Sequence, residues 1–188
     1  MVIGPDGVGK TTLAGHLLSE HGPPTMYLHF RPGFWSRPPA TPGGDGLPPP
    51  KRSDPGRRPL GWLRLGRSVA QFWLGYLRWI RPAVSRGTLV VGDRWAYGYV
   101  GQPTALGFAG PAWLARFAAR IVPHPDLVAR LRGDPGLIAS RKSDLSASQI
   151  EREDAAWDSL PIPTMELDAA EPVDVLARAV FQSLEDRR

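Results

Sequence analysis

The chain contains no cysteine, which excludes disulfides and thiolate metal sites and agrees with a cytoplasmic setting. It has no apolar run of the roughly 18 residues that a membrane helix needs. The nearest candidate, Val69 to Val84, is broken by Gln71, Arg78 and Arg81, so no membrane partner is expected. The four histidines, at 16, 21, 29 and 124, lack metal-ligand spacing, and no serine-based triad is supported. A glycine-rich loop already occupies the N-terminus, so no signal peptide is expected. The formal charge is +5, from 23 basic and 18 acidic residues, without a Lys/Arg block long enough for a nucleic-acid arm. Nucleic acid is therefore not expected, and the basic balance suits an enzyme holding two anionic substrates. No internal repeat is present.

What remains fits one domain spanning residues 1–188, since domains usually run about 100–200 residues. Val2-Ile3 reads as the end of a first strand, so short that a start upstream of Met1 stays open. Val8 to Glu20 has helical spacing, and Thr25 to Phe30 is rich in strand formers. Arg31 to Gly61 holds nine prolines and few large apolar residues, so it is expected to be a long excursion covering the acceptor side. Trp62 to Arg86 reads as a helix. Leu65, Val69, Phe72, Tyr76, Ile80 and Val84 form its apolar stripe, opposite Arg64, Arg67, Gln71, Arg78 and Arg81, and Gly87 ends it.

Thr88 to Asp93 is a buried strand, Pro111 to Ile121 a helix and Pro125 to Leu131 a strand. Asp134-Pro135 opens a helix to about Lys142, and Ser146 with Gln149 forms a capping box for a helix to about Leu160. "TMEL" is a last strand and Pro172 to Asp186 a last helix. Strands alternating with helices imply an α/β fold. Its five strands should be parallel, with helices on both faces and ligands at the carboxyl ends.

Chemistry concentrates in "GPDGVGKTT", residues 4–12. Glycine, four residues, glycine, lysine, threonine lets the backbone wrap a phosphate with its N–H groups pointing inward. Gly4, Asp6, Gly7, Val8, Gly9, Lys10, Thr11 and Thr12 are the nucleotide-binding candidates. Lys10 would meet the β- and γ-phosphates and the Thr11 hydroxyl would ligate Mg²⁺. The second constellation is "GDRW". Asp93 falls at a strand's carboxyl end on the same edge as Lys10, where a carboxylate can hold Mg²⁺ or accept a proton. Arg94 beside it suits a second anion.

These residues resemble the thymidylate kinase family and its nucleoside monophosphate kinase relatives. The resemblance rests on "GPDGVGKTT", "RPAVSRGTLVVGDRW" and "PDLVARLRGDPGLIASRK". It implies the three-layer P-loop NTPase fold with strand order 2-3-1-4-5, an Asp-Arg-aromatic step at Asp93, Arg94 and Trp95, and an arginine-bearing lid at about 141–152. Arg141 best matches the lid arginine, with Lys142 and Arg152 nearby. Where the family carries Arg-Glu-Pro-Gly, this chain reads Phe30-Arg31-Pro32-Gly33; where the family has a mid-helix arginine, it has Phe72. The family's serine pair and Tyr-Gln are replaced by Gly98, Tyr99 and a displaced Gln102.

A strand ending at the site places the start of the preceding helix near the acceptor. Arg64, Arg67 and Gln71 then become candidates alongside Arg31, while Arg78 and Arg81 lie at the far end. The expected activity is ATP-dependent phosphoryl transfer, with Mg²⁺, from a nucleoside triphosphate to a small-molecule acceptor, a nucleotide or nucleoside. Lys10, Asp93, Arg94 and Arg141 would be catalytic; Arg31, Arg64, Arg67, Arg94 and Trp95 would bind substrate; Thr11 and Asp93 would hold the metal. The alternatives are a kinase of another anionic or hydroxyl metabolite and a nucleotide-binding switch without an acceptor. A homodimer is compatible with this reading.

Overall fold

The computed structural model describes residues 1–29, 61–93, 95–103, 106, 108–141 and 146–187. Five strands form its sheet: β1 (Val2–Ile3), β2 (Thr25–His29), β3 (Leu89–Asp93), β4 (Ala129–Arg132) and β5 (Met165–Asp168). All pairs are parallel and the order is β2-β3-β1-β4-β5, as the resemblance implied. The two-residue β1 lies in the centre, where Val2 pairs with both Asp93 and Ala129.

Successive strand residues point to opposite faces, and each face has its own core. Val2, Tyr27, Val91, Ala129, Leu131 and Leu167 pack against α1 (Lys10–His21) and the last helix, Val173–Glu185. Ile3, Leu28 and Val128 pack on the other face, against Leu65 and Phe72 of α2 (Gly61–Gly75) and the alanines of a later helix, Ala112–Ile121. The helices thus form outer layers on both sides of the sheet.

The helix expected over Trp62 to Arg86 is α2, a π-helical turn at Tyr76–Ile80, and α3 (Arg81–Val84). Two of its assignments change. Gln71, expected among the polar residues, is buried, and Val84 is 48% exposed while Ala83 is buried. The π turn at Tyr76–Ile80 changes the helical phase, so the i+4 series through Phe72, Tyr76 and Ile80 no longer marks the buried side by Val84. Gly87, with φ +78°, follows this helix.

After β3 comes a short helix missed by periodicity, α4 (Gly98–Gly101), too brief to show a pattern. Then follow α5 (Ala112–Ile121), β4, α6 (Pro135–Arg141), α7 (Ala147–Trp157), β5 and α8 (Val173–Glu185). β4 begins at Ala129 rather than Pro125, whose nitrogen has no hydrogen to give a ladder. The capping box at Ser146 and Gln149 is formed. α7 stops at Trp157, short of Leu160, because the Ser159 and Leu160 N–H groups bond back to Ala156 and Trp157 in a tightened turn.

Candidate functional site

β1 ends at the centre of the sheet, and the glycine-rich loop leaves from there to open α1. Gly4 has φ +139°, and a side chain there would place Cβ 2.5 Å from the Leu131 carbonyl oxygen of the neighbouring strand. Only glycine fits that approach. Gly9 precedes α1 in the left-handed region, φ +105°, with open space around its Cβ direction, so backbone conformation alone restricts it.

The loop curls over Lys10. Its ammonium, only 8% exposed, donates to Gly4 O (3.0 Å) and Pro5 O (2.7 Å) and lies 3.4 Å from Asp6 Oδ1. Val8 is buried, whereas Thr11 and Thr12 are exposed on the first turn of α1. The cation and the N-terminal turn of a twelve-residue helix therefore converge at one end of β1.

Asp93 closes β3, the strand beside β1, and is buried. Its Oδ1 lies 2.6 Å from Nδ1 of His29, the last residue of β2 and its register partner across the ladder. This close contact pairs the carboxylate with the imidazole at the carboxyl edge of the sheet. Histidine-to-histidine spacing does not reveal His29. Its signal is positional, a titratable residue ending a strand that pairs with the strand of Asp93.

On the α2 side, Arg64 and Arg67 are exposed on the first turns. Ser68 and Tyr99, both buried, share a 2.8 Å hydroxyl–hydroxyl hydrogen bond. Burial pushes the Tyr99 phenol above its ordinary pKa, opposed by the Ser68 hydrogen bond and the positive charge of Arg64. α2 and α4 thus bring Arg64, Ser68 and Tyr99 together as one polar cluster. Gln102, just after α4, donates to Glu153 of α7 (2.7 Å) and ties the segment after Asp93 to that helix.

Trp95, expected to meet substrate, is 2% exposed. Its ring packs 4.7 Å from that of Phe72 and its indole donates to Pro123 O (3.0 Å). The side chain belongs to the core. Phe72, where the family's arginine would stand, belongs to the same core.

β4 and α7 carry an ionic lattice that the sequence did not single out. Arg130, 2% exposed, donates to Asp154 Oδ1 and Asp158 Oδ1, each at 2.7 Å. Arg132 reaches Asp154 Oδ2 at 2.9 Å and Glu166 Oε2 at 3.4 Å. Burial alone would raise the Asp154 carboxyl, but hydrogen bonds from both arginines outweigh it and hold the group below its ordinary value. Of the cations expected in a lid, Arg141 ends α6 and Arg152 lies on α7, its Nε bonded to Ser148 O. Arg31, Arg94 and Lys142, with nearly all of the proline-rich excursion, lie outside the described residues.

A scan against models of known families and a search of curated proteins found no match to this chain. Strand order, loop geometry and the residues at the strand ends therefore carry the functional reading.

Proposed function

We propose that the chain is an ATP-dependent phosphotransferase whose acceptor is a small molecule of the nucleotide or nucleoside class. The observation that carries this reading is a buried lysine wrapped by its own glycine loop, with a buried carboxylate at the end of the adjacent strand. Such a loop offers inward N–H groups, a helix N-terminus and a cation to the triphosphate. Thr11 and Asp93 supply hard oxygen donors suited to Mg²⁺, which commonly takes one or two protein oxygens and completes its shell with phosphates and water. The Asp93 carboxylate, held at the strand end beside β1, fits that task. Bound there, Mg²⁺ would neutralise phosphate charge.

In the reaction the γ-phosphoryl passes to an acceptor oxygen and ADP leaves; Lys10 holds the phosphates in place. Arg64, with Ser68 and Tyr99 behind it, lines the direction from which an acceptor would approach. The loop motif and the Asp93 step also support the likeness to thymidylate kinases, and Arg31 in place of their acid favours a different acceptor. A guanidinium only donates, so it cannot accept a hydrogen bond from a sugar hydroxyl as a carboxylate does.

ADP release measured with and without acceptors, across nucleosides, nucleotides and sugar phosphates, tests the proposal. A kinase forms ADP only with the right acceptor, and thymidine monophosphate is expected to be a weak one. ADP formation at one slow rate whatever is added would identify a nucleotide switch instead. A variant of the reading has a neutral hydroxyl acceptor whose proton passes to Asp93, a role open to a carboxylate at this strand end. In that case Arg94→Ala leaves acceptor binding unchanged, whereas a phosphate-bearing acceptor binds that variant more weakly.

A further inference from the structure

β2 and β3 pair along their whole length, from Thr25 opposite Leu89 to His29 opposite Asp93. On its other side β3 meets β1, where Val2 pairs with Asp93. The backbone of Asp93 is therefore held on both flanks, and only its side-chain torsions remain to be set. Strand side chains alternate, so Asp93 and His29 point to the same face as Val91 and Tyr27, two residues earlier on each strand. That face packs against α1, the helix that Lys10 and Thr11 open. The two register partners meet there. Nδ1 of His29 lies 2.6 Å from Oδ1 of Asp93, with the two side chains 14% and 5% exposed.

A ring nitrogen and a carboxylate oxygen this close attract only when the nitrogen carries a proton, since two lone pairs would repel. His29 thus presents Nδ1–H to Asp93. The terminal torsion of an aspartate is broad, so a carboxylate without a partner samples many orientations. A proton held at one oxygen fixes the plane of the group and leaves the second oxygen for a metal. Architecture has little need of the contact. The strands are already joined by their ladder, and a nearly buried polar pair gives back much of its attraction as desolvation.

We infer that His29 is a positioning residue, orienting the Asp93 carboxylate for Mg²⁺ without itself touching metal or substrate. The inference rests on the phosphotransferase reading, in which Asp93 is a metal ligand. Groups that orient a metal-holding side chain are worth about 10–100-fold in metal affinity.

The test is calorimetric binding of adenylyl imidodiphosphate, an ATP analogue that resists transfer, to the full chain with Mg²⁺ and with EDTA. The parent is expected to bind more tightly with Mg²⁺. His29→Ala is expected to keep the metal-free affinity, which the glycine loop supplies, and to lose about tenfold or more of the Mg²⁺-dependent gain. His29→Asn is expected to retain the gain, because its amide nitrogen stands where Nδ1 does; the longer His29→Gln is expected to lose it. If His29→Ala does not fold, the contrast between His29→Asn and His29→Gln decides. A full gain in His29→Ala, or equal gains in His29→Asn and His29→Gln, overturns the role of His29 and leaves the nucleotide site standing. A parent that binds the analogue equally with Mg²⁺ and with EDTA overturns it as well. A parent that binds no analogue under either condition removes the phosphotransferase reading and this inference with it.

Discussion

Lys10 and Arg130 are both nearly excluded from water, one beside the end of β1 and the other on the neighbouring β4. Lys10 rests on the carbonyl oxygens of Gly4 and Pro5, with the Asp6 carboxylate farther off at 3.4 Å. Arg130 meets two carboxylates at 2.7 Å each, supplied by a helix 24 and 28 residues along the chain. Carbonyl dipoles leave the ammonium's charge in place, and one longer Asp6 pair offsets it less than two close carboxylates would, so it can still attract an anion arriving at the loop. Paired carboxylates do cancel it, and the guanidinium is committed to joining β4 to α7. One buried cation is thus suited to chemistry and the other to architecture.

The largest expected effect separates these roles directly. Lys10→Ala should lower acceptor-dependent ADP formation by on the order of 10²–10³, the scale for removing one preorganised electrostatic contact. Its denaturation midpoint should stay near that of the parent. A variant with normal turnover would remove the loop from the mechanism.

Arg130→Ala should do the reverse. Breaking a buried ion pair from one side costs about 3–5 kcal/mol, and the lower end applies because Asp158 and Glu166 keep access to solvent. Urea unfolding reads this, and a loss under about 1 kcal/mol would reduce the lattice to an ordinary surface pair.

Glycine substitutions sharpen the comparison on the loop side. Gly4→Ala combines φ +139° with a Cβ 2.5 Å from a backbone oxygen, and should cost roughly 2 kcal/mol. Gly9→Ala meets open space and pays only for its left-handed backbone, about 1 kcal/mol. Equal losses in thermal melts would mean that the approach to Leu131 relaxes.

The smallest effect belongs to pH. Asp154 has a folded pKa below its ordinary 3.8, so its contribution is fully present above that value and is lost as pH falls through the lower folded one. Melting temperature should decline over this acid window, and Asp154→Asn should flatten that part of the profile. An unchanged slope would assign acid sensitivity to other carboxylates.

Much of the frame was legible because its causes are local. The glycine loop, the capping box at Ser146 and the alternation of strands and helices each express contacts within a few residues. The less legible features are contacts across the chain. Gln71 is polar yet buried, and Trp95, beside two site candidates in sequence, turns into the core against Phe72. His29 reaches Asp93 only because β2 and β3 pair in that register. The same limit hid the exposed face of α5: its apolar spacing announced a helix but not that Trp113, Phe117 and Ile121 would remain outside.

By itself, the sequence determined a parallel α/β chain with a glycine loop opening its first helix, because backbone sterics and hydrophobic period act over single turns and strands. Tertiary structure alone decided which side chains share an environment. It wrapped Lys10 in carbonyls, paired Arg130 with α7, set His29 against Asp93 and left Trp113, Phe117 and Ile121 of α5 exposed. The physical reason is that charge and burial depend on neighbours in space, and in a crossover fold those neighbours lie tens of residues apart in the chain.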